Sequence, residues 1–197
     1  MTKYEQLGNL IKENNGYLFA SDVANADISR TYLARYVKEN NLEKVAKGIY
    51  ISADTFEDTL FIIQHSNPIV IYSGETALYL NGLLEREDSQ TCVSVPSGHY
   101  NFRLKDRGLI VHQENSQIYG MGAIDIATNF GNIVKAYNKE RSICDCIKNR
   151  SKYEVQIYQA AIKNYMRSKD KDLSLLVEYA DVLNIRDEVM KYVEVMI

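Results

Sequence analysis

Between Gly16 and Ser52 the sequence puts two serine helix starts, a turn and a Gly-tipped hairpin signal within some thirty-five residues. Ser21 is expected to cap a short helix over DVANA, and Ser29 a second helix over RTYLARYVKEN, each by accepting a free backbone N–H of the first turn. Caps this close leave room for one short helix and a turn, for which Asp27 supplies the chemistry. On the second helix Leu33 and Val37 share the inward face with Tyr36 beside them, which leaves Arg30, Thr31, Ala34, Arg35 and Lys38 outside. Beyond Asn40–Asn41, the residues Leu42, Val45, Ile49 and Ile51 read as two short strands joined at Lys47–Gly48. Upstream, Tyr4, Leu7, Leu10 and Ile11 keep helical spacing. Three helices followed by a hairpin make a winged helix-turn-helix, a unit that sets its second helix of the turn in a DNA major groove. The same geometry also serves in domains that pack only against protein.

Charge decides how such a unit would hold DNA. The chain of 197 residues has a formal charge of −3, with residues 1–52 at +1 and the remainder at −4. Affinity must therefore come from a few placed cations and not from a bulk field. Ser29, Arg30, Thr31 and Tyr32 form the first turn of the second helix, where free N–H groups and the helix dipole favour phosphate. Arg30 and Arg35 are the candidates for base edges, since a guanidinium pairs bidentately with guanine O6 and N7. Thr31, Tyr32, Lys38 and Lys47 are expected on phosphates, with packing on the helix surface the alternative for Tyr32.

After the hairpin, ADTFEDTLFIIQHSNP is expected to form a connecting helix that stops before Asn67–Pro68. This divides the chain into a DNA-binding domain at 1–52, a connector at 53–68 and an α+β domain at 69–197. In the last, IVIY, TCVSVP and LIVH read as strands and Ser73 caps a helix ending at Gly82. IYGM and AIDIATNF are expected to complete a mixed sheet, and four amphipathic helices follow from Lys139. The segment from Asn101 to Arg107 alternates apolar and cationic side chains. Extended, it would point Arg103, Lys105 and Arg107 to one face, either as a surface for RNA, a nucleotide or an acidic partner or as an edge strand protected by charge. Arg141 and Asp145, four apart on a helix, read as a weak intrahelical pair, or as a buried link between helices and sheet.

Several classes of protein are disfavoured. No apolar run is long enough to span a bilayer, and MTKYEQLGNL lacks the apolar segment of a secretory signal, so the expected location is cytoplasmic. Cys92, Cys144 and Cys146 are too few and too oddly spaced for a disulfide framework or a zinc site, and read as packing residues. His65, His99 and His112 have no neighbour at metal spacing, so neither metal nor cofactor is expected. The sequence contains no acid-x-Lys pair of a metal-dependent nuclease, no P-loop, no Gly-x-Ser-x-Gly elbow and no His-Glu-x-x-His, which argues against an enzyme.

The order of Lys47-Gly48-Ile49-Tyr50, Ser73-Gly74-Glu75-Thr76-Ala77-Leu78, Asn81-Gly82-Leu83, Val95-Pro96 and Glu140-Arg141-Ser142-Ile143-Cys144-Asp145 resembles the AbiEi antitoxins of bacterial type IV toxin–antitoxin and abortive-infection systems. The likeness runs from about Tyr4 to the C-terminal helices. The family usually has Thr where Ser142 stands, often Arg where Lys47 stands, and His where Asn81 stands. The resemblance implies a bifunctional protein. Its winged helix would repress its own operon by binding inverted repeats in double-stranded promoter DNA. Its C-terminal domain would antagonise a cognate nucleotidyltransferase toxin of the AbiEii type, without a stable complex. The other reading is a ligand-responsive winged-helix transcription factor with no toxin partner.

Overall fold

The computed structural model describes residues 1–86, 90–99 and 102–194. The chain divides into two compact units, Met1–Ser66 with Thr128–Asn132, and Asn67–Ala127 with Ile133–Ile197. Among the described residues no helix is long and apolar enough to cross a membrane.

The first unit runs α1 (Lys3–Glu13), β1 (Tyr17–Phe19), α2 (Ala20–Asn25), α3 (Arg30–Glu39), β2 (Glu43–Ala46), β3 (Ile49–Ile51) and α4 (Thr59–Ser66). Thr2 opens α1 with a capping box, its hydroxyl accepting from the Glu5 N–H while the Glu5 carboxylate accepts from the Thr2 N–H. Ser29 caps α3 by accepting from the Tyr32 N–H at 3.3 Å, and Asp27 turns the chain at φ 54°. Ser21 is not a cap. The strand β1, unforeseen in the sequence, runs straight into α2, so the helix starts at Ala20 and Ser21 falls inside it.

The three strands pair antiparallel in the order β1-β3-β2, with Leu18 opposite Tyr50. The turn Lys47–Gly48 needs Gly48 at φ 75°, and the Gly48 carbonyl accepts from the Ala20 N–H at 2.8 Å. Leu7, Leu18, Val23, Ile28, Leu33 and Tyr36 form the core between helices and sheet. Helix α4, within the segment expected to connect two domains, lays Ile62 against Tyr17, Phe19, Ile49 and Ile51. Beside its first turn Asp58 is buried, accepting from the Phe61 N–H at 3.1 Å, the Thr128 hydroxyl at 2.5 Å and the Asn132 amide at 2.8 Å.

The second unit holds a mixed sheet of β4 (Ile71–Tyr72), β5 (Cys92–Pro96), β6 (Ile110–Glu114), β7 (Ala123–Ala127) and β8 (Ile133–Tyr137), ordered β6-β5-β4-β8-β7. IYGM is a turn and not a strand: the Ile118 and Tyr119 N–H groups both bond back to the Asn115 carbonyl. The fifth strand is instead β8, unforeseen in the sequence; it lies antiparallel to β7 and parallel to β4, with Val134 and Ala136 turned into the core. The helices are α5 (Gly74–Leu80), α6 (Phe102–Asp106), α7 (Lys139–Lys148), α8 (Val155–Arg167), α9 (Leu173–Val182) and α10 (Arg186–Val193). Ser73 precedes α5 but makes no side-chain cap bond. α7 is the hub of the unit, because Ile143, Cys144, Cys146 and Ile147 pack in one core with Ala161, Tyr165, Leu176 and Val189 from the three later helices. Burial pushes the thiols of Cys144 and Cys146 up to about 12, which keeps them protonated packing groups.

Candidate functional site

At 100° per residue, Arg30, Ala34, Lys38, Thr31 and Arg35 span roughly 140° of α3. All five are exposed, while Leu33 and Tyr36 on the other side are buried. Ser29, exposed at the start, is engaged as the cap, and Lys47 is exposed at the hairpin tip. Tyr32 lies beyond the Arg35 edge of this arc and is half-buried. Its ring meets Tyr4 of α1 edge-on at 5.5 Å, with the Lys3 ammonium 5.6 Å from its centroid. Arg35 is tied to Glu39, whose other carboxylate oxygen accepts from the Tyr4 hydroxyl. The ion pair raises the Arg35 pKa and lowers that of Glu39, for which the Tyr4 hydroxyl is the larger cause and Arg35 the next. The arc thus offers Arg30, Thr31 and Lys38 directly, and Arg35 once Glu39 releases it.

The segment carrying Arg103, Lys105 and Arg107 is not an edge strand. β5 and β6 are parallel neighbours, Cys92 opposite Ile110 and Ser94 opposite His112, so the chain between them must cross over instead of running as a strand. Residues 102–106 form the short helix α6 with Leu104 buried beneath it. A helix sets Arg103 and Arg107 on one side and Lys105 nearly opposite, so the three cations form no single row. Asn101, part of the same expected surface, lies outside the described residues.

The Glu140-Arg141-Ser142 segment proves to be a buried fastening. Asn138 caps α7 by accepting from the Arg141 N–H at 2.9 Å. The Arg141 side chain is fully buried. Its Nε donates to both Asp145 carboxylate oxygens at 3.0 Å, its Nη1 to the carbonyls of Ile118 at 2.8 Å and Met121 at 3.3 Å, and its Nη2 lies 3.4 Å from a Glu114 oxygen. The guanidinium carbon also stands 4.5 Å from the Tyr137 ring centroid. Gly122 is required beside it, since φ is 77° and a Cβ there would come 2.7 Å from Arg141 Cβ. Burial raises the Asp145 carboxyl to about 6, Arg141 opposing and Glu114 adding to the shift. Glu140 accepts from the Tyr165 hydroxyl at 3.2 Å and the Asp172 N–H at 3.1 Å, and the Ser142 hydroxyl donates to the Tyr137 carbonyl at 3.3 Å. Asn81 donates to the carbonyls of Ala77 at 2.7 Å and Tyr137 at 2.8 Å. These side chains of the quoted motifs hold the second unit together and do not project into solvent. Their spacing showed the Arg141–Asp145 pair, but its burial depends on partners as distant in sequence as Ile118 and Glu114.

No family model and no curated protein matches this chain. Among solved structures it is similar to the crystal structure of the Rv2827c protein from Mycobacterium tuberculosis, with a TM-score of 0.58 over 92% of this chain and 72% of that chain, at 11% sequence identity. The likeness is one of fold and supports the mixed α+β assignment.

Proposed function

We propose that the chain is a transcriptional autorepressor and antitoxin, in which Met1–Ser66 acts as a winged helix-turn-helix and the second unit antagonises a nucleotidyltransferase toxin of the AbiEii type. The observation that carries the DNA-binding half is the outward arc of α3, where Arg30, Thr31, Arg35 and Lys38 stand exposed over a buried apolar face. The element order α1-β1-α2-α3-β2-β3, with a sheet closed by β1 and a Gly48 turn carrying Lys47, supports the same reading. In it α3 enters the major groove of double-stranded promoter DNA and Lys47 meets a phosphate of the flanking backbone. The antitoxin half rests on the ordered motifs that resemble AbiEi proteins, and it requires no catalytic group of this chain.

The test has two arms. In a fluorescence-anisotropy titration the full chain should bind an inverted repeat upstream of its own gene more tightly than a scrambled duplex, and Arg30→Glu with Lys38→Glu should abolish the preference. Equal binding to both duplexes would overturn the repressor. In cells, co-expression with a nucleotidyltransferase encoded beside it should restore growth, and no rescue by the full chain would overturn the antitoxin.

A further inference from the structure

The second unit contains a cavity of about 550 Å³ that neither the α3 arc nor the Arg141 fastening accounts for. Ser73, Lys105, His112, Asp145, Lys148 and Lys152 line it, from the ends of β4 and α7, from α6 and β6, and from the 3-10 turn Arg150–Lys152. The size lies within the range of pockets that enclose small ligands.

Two features say what it is built to hold. First, Lys105, Lys148 and Lys152 come from three different elements to one concavity, and among the described residues none of them makes an ion pair, whereas Lys135, Lys139 and Arg186 each hold a carboxylate. Of the three acids at the same cavity, Glu114 and Asp145 are held by Arg141, Asp145 also feels the charge of Lys148, and Glu75 is the third, so that with Arg141 counted the cations outnumber the carboxylates by one. Three ammonium groups gathered with no carboxylate at ion-pair distance repel one another, and an anion set among them relieves that. Second, Ser73 is 2% exposed and its Oγ has no hydrogen-bond partner among the described residues. A buried hydroxyl without a partner is costly, and a polar ligand atom or a water carried with it removes that cost. A duplex backbone meets exposed cations but cannot bring a polar group to so deep a hydroxyl.

We propose that this cavity binds a small phosphomonoester, with its phosphoryl group among Lys105, Lys148 and Lys152 and its hydroxyl-bearing body directed toward Ser73 and Asp145. Ammonium groups act on phosphate as point charges from several directions, which suits three lysines on separate elements. The Asp145 carboxylate, held by Arg141 from one side, accepts from a ligand hydroxyl on the other. The site is independent of the α3 arc and stands whether or not a toxin partner exists.

Isothermal titration of the full chain tests it with ribose 5-phosphate, ribose, inorganic phosphate and a random DNA duplex as probes. Ribose 5-phosphate should bind saturably and ribose should not. The double variant Lys148→Ala, Lys152→Ala should weaken binding by about tenfold or more. Ser73→Ala should weaken it several-fold while the unliganded protein melts no lower than wild type, because the lost hydroxyl had no partner. Both lysines are exposed, so an unchanged melt of the unliganded double variant separates lost binding from lost folding. Absence of saturable ribose 5-phosphate binding at millimolar concentration would overturn the proposal, as would binding undiminished in the lysine variant. Equal, lysine-dependent affinity for inorganic phosphate would overturn the role of the ligand body. Lysine-dependent binding of the duplex but not of the monoester would reassign the surface to nucleic acid.

Discussion

Arg35 Nε donates to Glu39 Oε1 at 2.7 Å, one helical turn along α3, on the face where DNA contact is proposed. The Arg35 side chain is 71% exposed. An exposed pair of this kind is readily exchanged for a stronger partner, and a phosphate or guanine edge is one. Glu39 is steadied on its other oxygen by Tyr4, so the carboxylate keeps its place while the guanidinium swings away. In the proposed complex the pair would be a holding position from which Arg35 exchanges Glu39 for DNA.

Arg35→Ala should therefore weaken binding to the cognate duplex by about tenfold or more, with less effect on a scrambled duplex. Loss of equal size on both would assign Arg35 to phosphate. Glu39→Gln should act in the opposite direction and tighten binding to both duplexes at low salt, because it frees Arg35 and removes a like charge from the phosphate-facing edge. Unchanged affinity in Glu39→Gln would place the pair off the interface.

Lys47→Ala separates the hairpin from the helix. In the proposed complex the exposed Lys47 meets a phosphate and not a base, so affinity should fall on all sequences alike, and the slope of log K against log salt should lessen by about 1. An unchanged slope would take the hairpin away from the DNA.

Arg141 gives the largest expected effect on stability. Replacement by Ala leaves Asp145 and Glu114 facing each other without their cation and takes a donor from the carbonyls of Ile118 and Met121. Removing one partner of a buried ion pair costs about 3–5 kcal/mol. Arg141→Lys keeps the charge but cannot span Asp145 and both carbonyls at once, so it too should lower the urea midpoint well beyond an exposed Arg-to-Lys change. A midpoint within error of wild type in both variants would contradict the buried fastening.

Asp58 offers a parallel test in the first unit. Its carboxylate accepts three hydrogen bonds, and Asp58→Ala leaves the Asn132 amide and Thr128 hydroxyl without their acceptor, at a cost of about 2–3 kcal/mol. Asp58→Asn, which keeps one carbonyl oxygen, should cost less. Equal midpoints for Asp58→Ala and wild type would refute the network.

What the sequence made legible was local chemistry. Ser29, Asp27 and Gly48 announce their cap, turn and hairpin within four residues each, and they are found in those roles. The strand β1 escaped because three consecutive buried residues have no readable period, and its partner Ile49–Ile51 lies some thirty residues on. For Phe102–Asp106 the alternation is real but too short to separate a strand from one turn of helix. The parallel pairing of β5 with β6 decides between them, and that pairing is a fact about the sheet. In β8 the apolar Ile133 faces outward, which breaks the alternation of Val134-Lys135-Ala136 and hides the strand. The α3 arc could be drawn from spacing alone, whereas the ties of Arg35 to Glu39 and of Tyr32 to Tyr4 depend on rotamers and on the approach of α1. The orphaned Ser73 hydroxyl and the three lysines around one cavity come together only when α6, α7 and the sheet are in place.

The Asp145 carboxyl makes the last prediction one of pH. Burial lifts it to about 6 in the folded protein, with Glu114 adding to the lift and Arg141 and Lys148 opposing it, against about 4 for an unfolded aspartate. Between these values the folded state binds the proton more tightly than the unfolded chain, so this group's contribution to stability is full below pH 4 and declines as pH rises through 6. Asp145→Asn removes the titration and leaves every other group in place. The difference in unfolding free energy, wild type minus variant, should therefore fall between pH 4 and pH 6.5 and level off above it, measured as urea midpoints of both proteins across that range. A difference that rises over the same window would mean that the Arg141 guanidinium outweighs burial and holds the folded carboxyl below its ordinary value.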